Sequence, residues 1–428
     1  MIIMNEEKIK IPYGKRKILL KIKRKNLTFI SDITNVASVK NEYKEIRNAI
    51  TNPIGIPNIK SLINPNDKIV LIGDDLTRPT PCNIIMKIIL KELKEHGVKK
   101  DNIKIVIALG THRPLTISEI YEKYGSIANK IRIINHEFKN KKKLTYLGTT
   151  SQGTPIWINN EVLNSDVKIG VGTIMPHNLS GWSGGAKIIQ PGVSGEETTA
   201  VTHLISAKYD PKELLGNVEN PMRKEMEEVA KNVGLDMVLN VVLNKKGKIV
   251  KAFSGDFIKA HREGVKIAEK IYCHRIPKEA DVIIASSHPM DIDYWVAGKA
   301  IVSSYLAIKN GGTIILVTPC YEGISAGNVH IEAFKRFGKL SYKEIEEKFK
   351  EGKIKDGVAA SIMMVLAKIK EKAKISIFSD GLTEEMCKWL GVTKIYNIER
   401  ALEEAYREYG RDLEIGILKN SEIVLKKK

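Results

Sequence analysis

The sequence predicts an α/β fold of two domains, each with a mostly parallel sheet flanked by helices, and an active site in the cleft between them. Three observations carry this. Short apolar runs at residues 68–72, 103–108, 167–171 and 281–285 have the continuity of strands buried on both faces. Most lead through a Gly- or Pro-containing polar turn into a longer helical pattern, the alternation that builds βαβ units. The pattern breaks at 273–278 and then restarts. We therefore expect an N-terminal cofactor-binding and catalytic domain over 1–272, completed by returning strands in 412–428, and a C-terminal α/β domain over 279–411 that adds substrate contacts.

The elements follow in order. Residues 8–15 and 18–22 read as two strands around a turn at Pro12 to Gly14, and 38–49 as a helix closed by the turn at 52–55. Strand 68–72 ends in a Pro-rich loop that delays the next helix to 83–96. Strand 103–108, helix 117–124 and strand 132–135 continue the unit. Residues 238–243 and 249–253 around Gly247 suggest a hairpin, 257–271 a helix, and 273–278 a linker. In the second domain, strand 281–285 leads to a helix over 294–308, stopped by Asn310-Gly311-Gly312. Strands at 313–318 and 374–378, a helix after Thr383 and another over 399–409 follow. Residues 414–418 and 422–425 read as a terminal hairpin.

The chain has 428 residues, 43% apolar, enough for a sizeable core. No apolar run reaches membrane-span length, and residues 1–7 lack the basic and apolar regions of a secretion signal, so we expect a cytoplasmic protein without a membrane partner. Four scattered cysteines have neither zinc nor redox spacing. A net charge of +19 raises the question of nucleic acid, but lysine is spread along the chain without an Arg/aromatic stripe. We expect a solvated lysine surface and no nucleic-acid partner. No residue pattern sets an oligomeric state.

Three polar loops stand at strand ends: Asp75-Leu76-Thr77-Arg78-Pro79, Gly110-Thr111-His112-Arg113, and the stretch from Pro176-His177 to Lys187. In open α/β sheets, ligands bind beyond the carboxyl ends of strands, so the loops are expected to converge. Taken singly, Asp75 and Arg78 also suit a turn ion pair, and His112 a helix cap. Gly181, Gly184 and Gly185 lie within five residues and precede Lys187, which would let backbone N–H groups approach an anion. The loop is not a P-loop, because Ala186 separates Gly185 from Lys187 and Ile188 follows. Ser194 and Glu197 have capping-box spacing, which predicts a helix to about Ala207 with His203 on its third turn.

Pro176-His177, Ser183-Gly184-Gly185-Ala186-Lys187, Pro191-Gly192 and His203, with the Asp75–Pro79 and Gly110–Arg113 motifs, together resemble the signature of the nickel-dependent lactate racemase family over most of the chain. The resemblance implies a racemase or epimerase of a 2-hydroxy acid, a small-molecule substrate. It implies a nickel-pincer nucleotide, a pyridinium mononucleotide holding nickel through a carbon and two sulfurs, loaded by cofactor-synthesis enzymes. Lys187 would carry it through a thioamide and His203 would ligate nickel, so both belong to the metal site. Asp75, Leu76, Thr77, Arg78, Gly184 and Gly185 would hold the nucleotide. His112 and His177 would alternate as acid and base, a task suited to histidine. Arg78 and Lys299 would orient the substrate carboxylate. Where the family usually has glutamine three residues before this lysine, the chain has Val296, which leaves malate, a longer aliphatic or aromatic hydroxy acid, or a sugar acid as alternatives to lactate. A dehydrogenase using free NAD would need a Gly-x-Gly-x-x-Gly turn after a strand, and none fits.

Overall fold

The structure, a computed structural model, describes residues 6–427. Residues 1–5 of the segment read for a secretion signal, and Lys428 of the terminal lysines, lie outside the described residues. Two six-stranded sheets organise the chain. The first runs, edge to edge, Ile249–Gly255, Met237–Leu243, Val167–Thr173, Ile69–Asp74, Ile103–Ala108 and Arg132–Asn135. Every pairing is parallel except the antiparallel edge strand Ile249–Gly255. Strand Ile69–Asp74 shows why the apolar runs are continuous. Ile69 and Leu71 enter one core cluster, Val70 and Ile72 the other, and all four are fully buried.

The second sheet runs Thr393–Ile395, Lys374–Phe378, Ile308–Val317, Ala280–Ser286, Ile415–Leu418 and Leu27–Ser31, all parallel. Each sheet contains a point where the chain reverses its direction of winding. In the first it lies between Ile69–Asp74 and Val167–Thr173, in the second between Ala280–Ser286 and Ile415–Leu418. The loops leaving these four strands face the cleft, where doubly wound folds leave a crevice. Arg113 bridges the two halves, bonding Glu119 at 2.7 Å and Glu322 at 2.8 Å.

Several expectations are corrected. The strands of 412–428 do not complete the first domain. Ile415–Leu418 sits in the second sheet, and Val424–Lys427 pairs in parallel with Cys273–Ile276, so there is no terminal hairpin and the linker is itself a strand. The buried, all-apolar Ile415–Leu418 needs cover on both faces, which the second sheet supplies. The N-terminal hairpin Glu6–Tyr13 with Arg16–Lys23 forms as expected, but its Ile9, Ile11 and Leu20 pack on Val282, Ile315 and Ile417, so the chain start belongs with the second sheet. The helix expected over 294–308 ends at Tyr305, and Asn310-Gly311-Gly312 lies within strand Ile308–Val317. Ser194 does not cap the helix Glu196–Ala207, whose N-cap is Gly195; its hydroxyl instead donates to the Ile189 carbonyl at 2.8 Å.

Candidate active site

A cavity with a free interior of about 90 Å³ opens in the cleft. Its walls bring together Asp75, Thr77, Arg78, His112, His177, Gly184, Lys187, His203 and Lys299, residues far apart in sequence. Two expected residues are placed differently. Leu76 faces an adjoining lobe, and Gly185 lies behind the wall, where its N–H donates to Asn240 Oδ1 at 2.8 Å.

The Gly-rich segment is shaped by close packing. Pro176-His177 pairs with Gly181-Trp182 as a two-rung antiparallel ladder, turning the chain back beneath the cavity. Gly184 and Gly185 have φ of +79° and +59°, and a Cβ on Gly185 would approach the Phe257 carbonyl oxygen to 2.8 Å, so both sites require glycine. The following 3₁₀ turn, Gly185–Ile188, presents Lys187. Arg223, fully buried, ties the segment together, donating to the carbonyls of Ser180, Trp182 and Gly184. His261 holds the Ser183 carbonyl at 2.9 Å. Sequence reasoning missed Arg223, Asn240 and His261, because only the fold brings them under the loop.

The three cavity histidines are fixed in distinct hydrogen-bonding states. His112 Nδ1 donates to Asp75 Oδ2 at 2.7 Å, leaving the Nε2 lone pair for the cavity. Burial opposes ionisation of Asp75, yet His112, Arg78 and Thr77 hold its carboxyl well below the usual carboxylate range. Its other oxygen accepts from the Thr77 N–H and hydroxyl at 3.0 and 2.5 Å, so Asp75 orients His112 rather than reaching into the cavity. His177 is the reverse case. Its Nδ1 accepts from the N–H groups of Leu179 and Ser180 at 3.3 and 3.2 Å, so Nε2 carries the proton. Burial, then the cations Lys187, Lys299 and Arg78, push it well below its ordinary pKa. His203 Nδ1 donates to the Thr199 carbonyl at 2.9 Å, and burial followed by Lys187 lowers its pKa to about 3. Its Nε2 is thus a neutral lone pair, the form that ligates metals.

Three basic side chains, Arg78, Lys187 and Lys299, line the cavity. Arg78, largely buried, bonds only within its own turn, to the Thr77 carbonyl and hydroxyl at 2.9 and 3.1 Å. Lys187, half-buried with its amine toward the cavity, forms no ion pair among the described residues. Burial, then Arg78 and Lys299, depress its pKa strongly. Lys299 lies 3.2 Å from Glu422 Oε1, and burial and Arg78 lower it to about 8 against the opposing pull of Glu422. His203 adds no charge at neutral pH, but the buried Arg223 lies behind the loop, its pKa lowered by burial to about 10 and its charge kept. Cationic walls with few free carboxylates suit an anion. Among the described residues, no three His, Cys, Asp or Glu side chains form a metal-binding group. No helix among them is long and apolar enough to cross a membrane.

Comparison with known proteins agrees with this architecture. Residues 13–216 match the lactate racemase N-terminal domain and residues 276–425 the lactate racemase C-terminal domain. A lactate racemase of Thermoanaerobacterium thermosaccharolyticum is 29% identical over 423 residues, 96% of this chain and 97% of that protein. One from Lactiplantibacillus plantarum is 31% identical over 323 residues, 74% of this chain and 75% of that protein. The structure of the Thermoanaerobacterium lactate racemase apoprotein superposes with a TM-score of 0.86 at 28% identity, covering 98% of this chain and all of that one. A Thermotoga maritima protein of 19% identity shares the fold, with a TM-score of 0.70 over 85% of this chain and 94% of its own. These lactate racemase relatives indicate an isomerase of the racemase type. The chain belongs to the lactate racemase family.

Proposed function

We propose that the protein interconverts the enantiomers of a 2-hydroxy acid of the lactate type, using a nickel-pincer nucleotide held by Lys187 and His203. One observation carries the reading: His112 and His177 border the same cavity in opposite tautomers, beside Arg78 and Lys299.

The residues fit the nucleotide. The Lys187 amine is free of partners and its pKa is depressed, the condition for a nucleophilic amine that could form a covalent link. His203 offers a neutral Nε2 whose ring is locked through Nδ1, and imidazole with sulfur donors suits nickel. When bound, the nucleotide supplies an electrophilic centre able to take a hydride from the substrate carbon and return it.

The chain's own residues do the rest. Arg78 and Lys299 hold the carboxylate, which fixes the reacting carbon between the two histidines. His112 Nε2 takes the hydroxyl proton of one enantiomer, and Asp75 stabilises the resulting imidazolium. His177 presents its Nε2–H to the substrate oxygen on the opposite face as a hydrogen-bond donor, and the proton taken by His112 is the one returned to that oxygen. The site residues about the cavity are largely buried, which strengthens each charge interaction there.

The test is the intact mass and nickel content of protein co-produced with the cofactor-making enzymes, with racemisation followed by chiral chromatography. A nickel-bearing adduct that disappears in Lys187→Ala, with racemisation lost at least 100-fold in His112→Ala and His177→Ala while nickel stays bound, is expected, since acid–base groups contribute about 10²–10⁴. An unmodified wild-type protein from a host that loads a known racemase would overturn the cofactor reading.

A further inference from the structure

We propose that the apolar lobe beyond His112 receives the substrate's side chain, and that the substrate is a 2-hydroxy acid bearing a branched aliphatic or aromatic group, selected by Val296. This rests on the main cavity binding a 2-hydroxy acid as given under Proposed function.

The lobe has a free interior of about 40 Å³ and shares Asp75, Thr77, Thr111, His112, Trp295 and Val296 with the main cavity. Leu76, Leu115, Ile292 and Val329 complete its apolar wall. Helix Tyr294–Tyr305 connects the two compartments. Val296 stands three residues before Lys299, just under one turn or about 4.5 Å along the same helix face. A carboxylate on Lys299 and Arg78 therefore directs the far end of the acid along Val296. A hydroxy acid with three or more further carbons reaches past it.

The charged groups at the edge of the lobe are already occupied, while the hydroxyls of Thr111 and Ser325 have no hydrogen-bond partner among the described residues. Asp293 accepts from the N–H groups of Val296 and Ala326 at 2.9 and 2.6 Å. Arg113 is paired with Glu119 and Glu322, and Asp75 with His112 and Thr77. His330 gives Nδ1 to Asp356 at 2.7 Å and stacks on Trp295 at 4.1 Å between centroids. Its Nε2 is buried without a partner among the described residues, and with the two hydroxyls it offers a second carboxylate no charged donor. Malate or a sugar acid would lose water here without a charge to replace it. Lactate, with a methyl group, would leave the lobe unfilled.

The experiment measures kcat/KM of the nickel-loaded full-length protein on single enantiomers of lactate, malate, 2-hydroxy-4-methylpentanoate and 3-phenyllactate. One of the two larger apolar acids should exceed lactate by about tenfold or more, as one methylene in a fitted pocket is worth about 10–200-fold. Val296→Gln and, separately, Val329→Phe should each reduce that ratio by about tenfold, the first by placing an amide in the passage and the second by filling the lobe. A ratio is independent of how much of a variant folds. Lactate or malate as the best substrate would overturn the lobe assignment while leaving the 2-hydroxy-acid reading intact. Turnover of none of the four would overturn both. A ratio unchanged in both variants would overturn the selective role of Val296.

Discussion

His112 and His177 face one cavity with opposite ring nitrogens engaged: Nδ1 of His112 donates to the Asp75 carboxylate, whereas Nδ1 of His177 accepts two backbone N–H groups. His112 therefore offers a lone pair and His177 a proton donor. A glutamine can imitate a neutral N–H donor but not a base. We expect His177→Gln to retain at least about tenfold more racemisation than His177→Ala, while His112→Gln and His112→Ala are equally inactive, given that a full acid–base role is worth about 10²–10⁴. Equal loss in both His177 variants would show that His177 transfers the proton outright.

Asp75 is the partner that makes His112 a base. Its carboxylate fixes the tautomer and stabilises the imidazolium that forms. Asp75→Asn keeps the size of the side chain but removes the charge and lets the amide favour the wrong tautomer. We expect kcat to fall by about 10²–10⁴, on the scale of the equivalent change in a Ser-His-Asp triad, with nickel content unchanged. Single-turnover kinetics on the loaded variant would check this, and wild-type kcat would refute the role.

The placement of the site was legible before the fold was known, because three polar motifs each followed a run that is buried on both faces. Strand ends and motifs are local, and local signals survive in one sequence. What was not legible depended on contacts between distant segments. Ile415–Leu418 has the same apolar pattern whichever sheet it joins, so its membership of the second sheet could not be read from periodicity. The same holds for Asp75. Its acidic side chain beside Arg78 suggested a ligand contact or a turn ion pair, and only the parallel register of Ile69–Asp74 with Ile103–Ala108 brings it to His112. The Asn310-Gly311-Gly312 stop misled because a turn signal near a helix end also suits an irregular strand start, and Ile308–Val317 has a register shift there.

Arg223 replaces water for three carbonyls of the Gly-rich loop. A methionine fills similar volume but leaves those acceptors buried and unpaired, at about 1–3 kcal/mol each for neutral groups. We expect Arg223→Met to lower unfolding free energy in urea by about 3 kcal/mol or more and to expose the loop to proteolysis near Gly184. Arg223→Lys should recover only part of this, since one ammonium lacks the planar fork that reaches several carbonyls. A variant as stable as wild type would remove Arg223 from this role.

Lys299 and Glu422 meet at the reversal point of the second sheet, the lysine on the helix after Ala280–Ser286 and the glutamate after Ile415–Leu418. Both are buried, and Glu422 Oε2 has no partner. The groups acting on Lys299 from the other domain are Arg78, Asp75, Lys187 and His177. Burial and Arg78 lower its pKa to about 8 and Glu422 raises it. The sign follows: Lys299 is charged below pH 8 and loses its charge above it, so substrate KM should rise through that point. Glu422→Gln removes the raising contribution, so the ammonium is lost at a lower pH. For a difference of one pKa unit, or about 1.4 kcal/mol, we expect KM to match wild type near pH 6 and to exceed it by about fivefold at pH 8. Glu422→Asp, which keeps the charge, should restore most of the wild-type profile. A Glu422→Gln variant whose KM differs by the same factor at every pH would mean that the pair is a packing feature and does not tune the carboxylate grip.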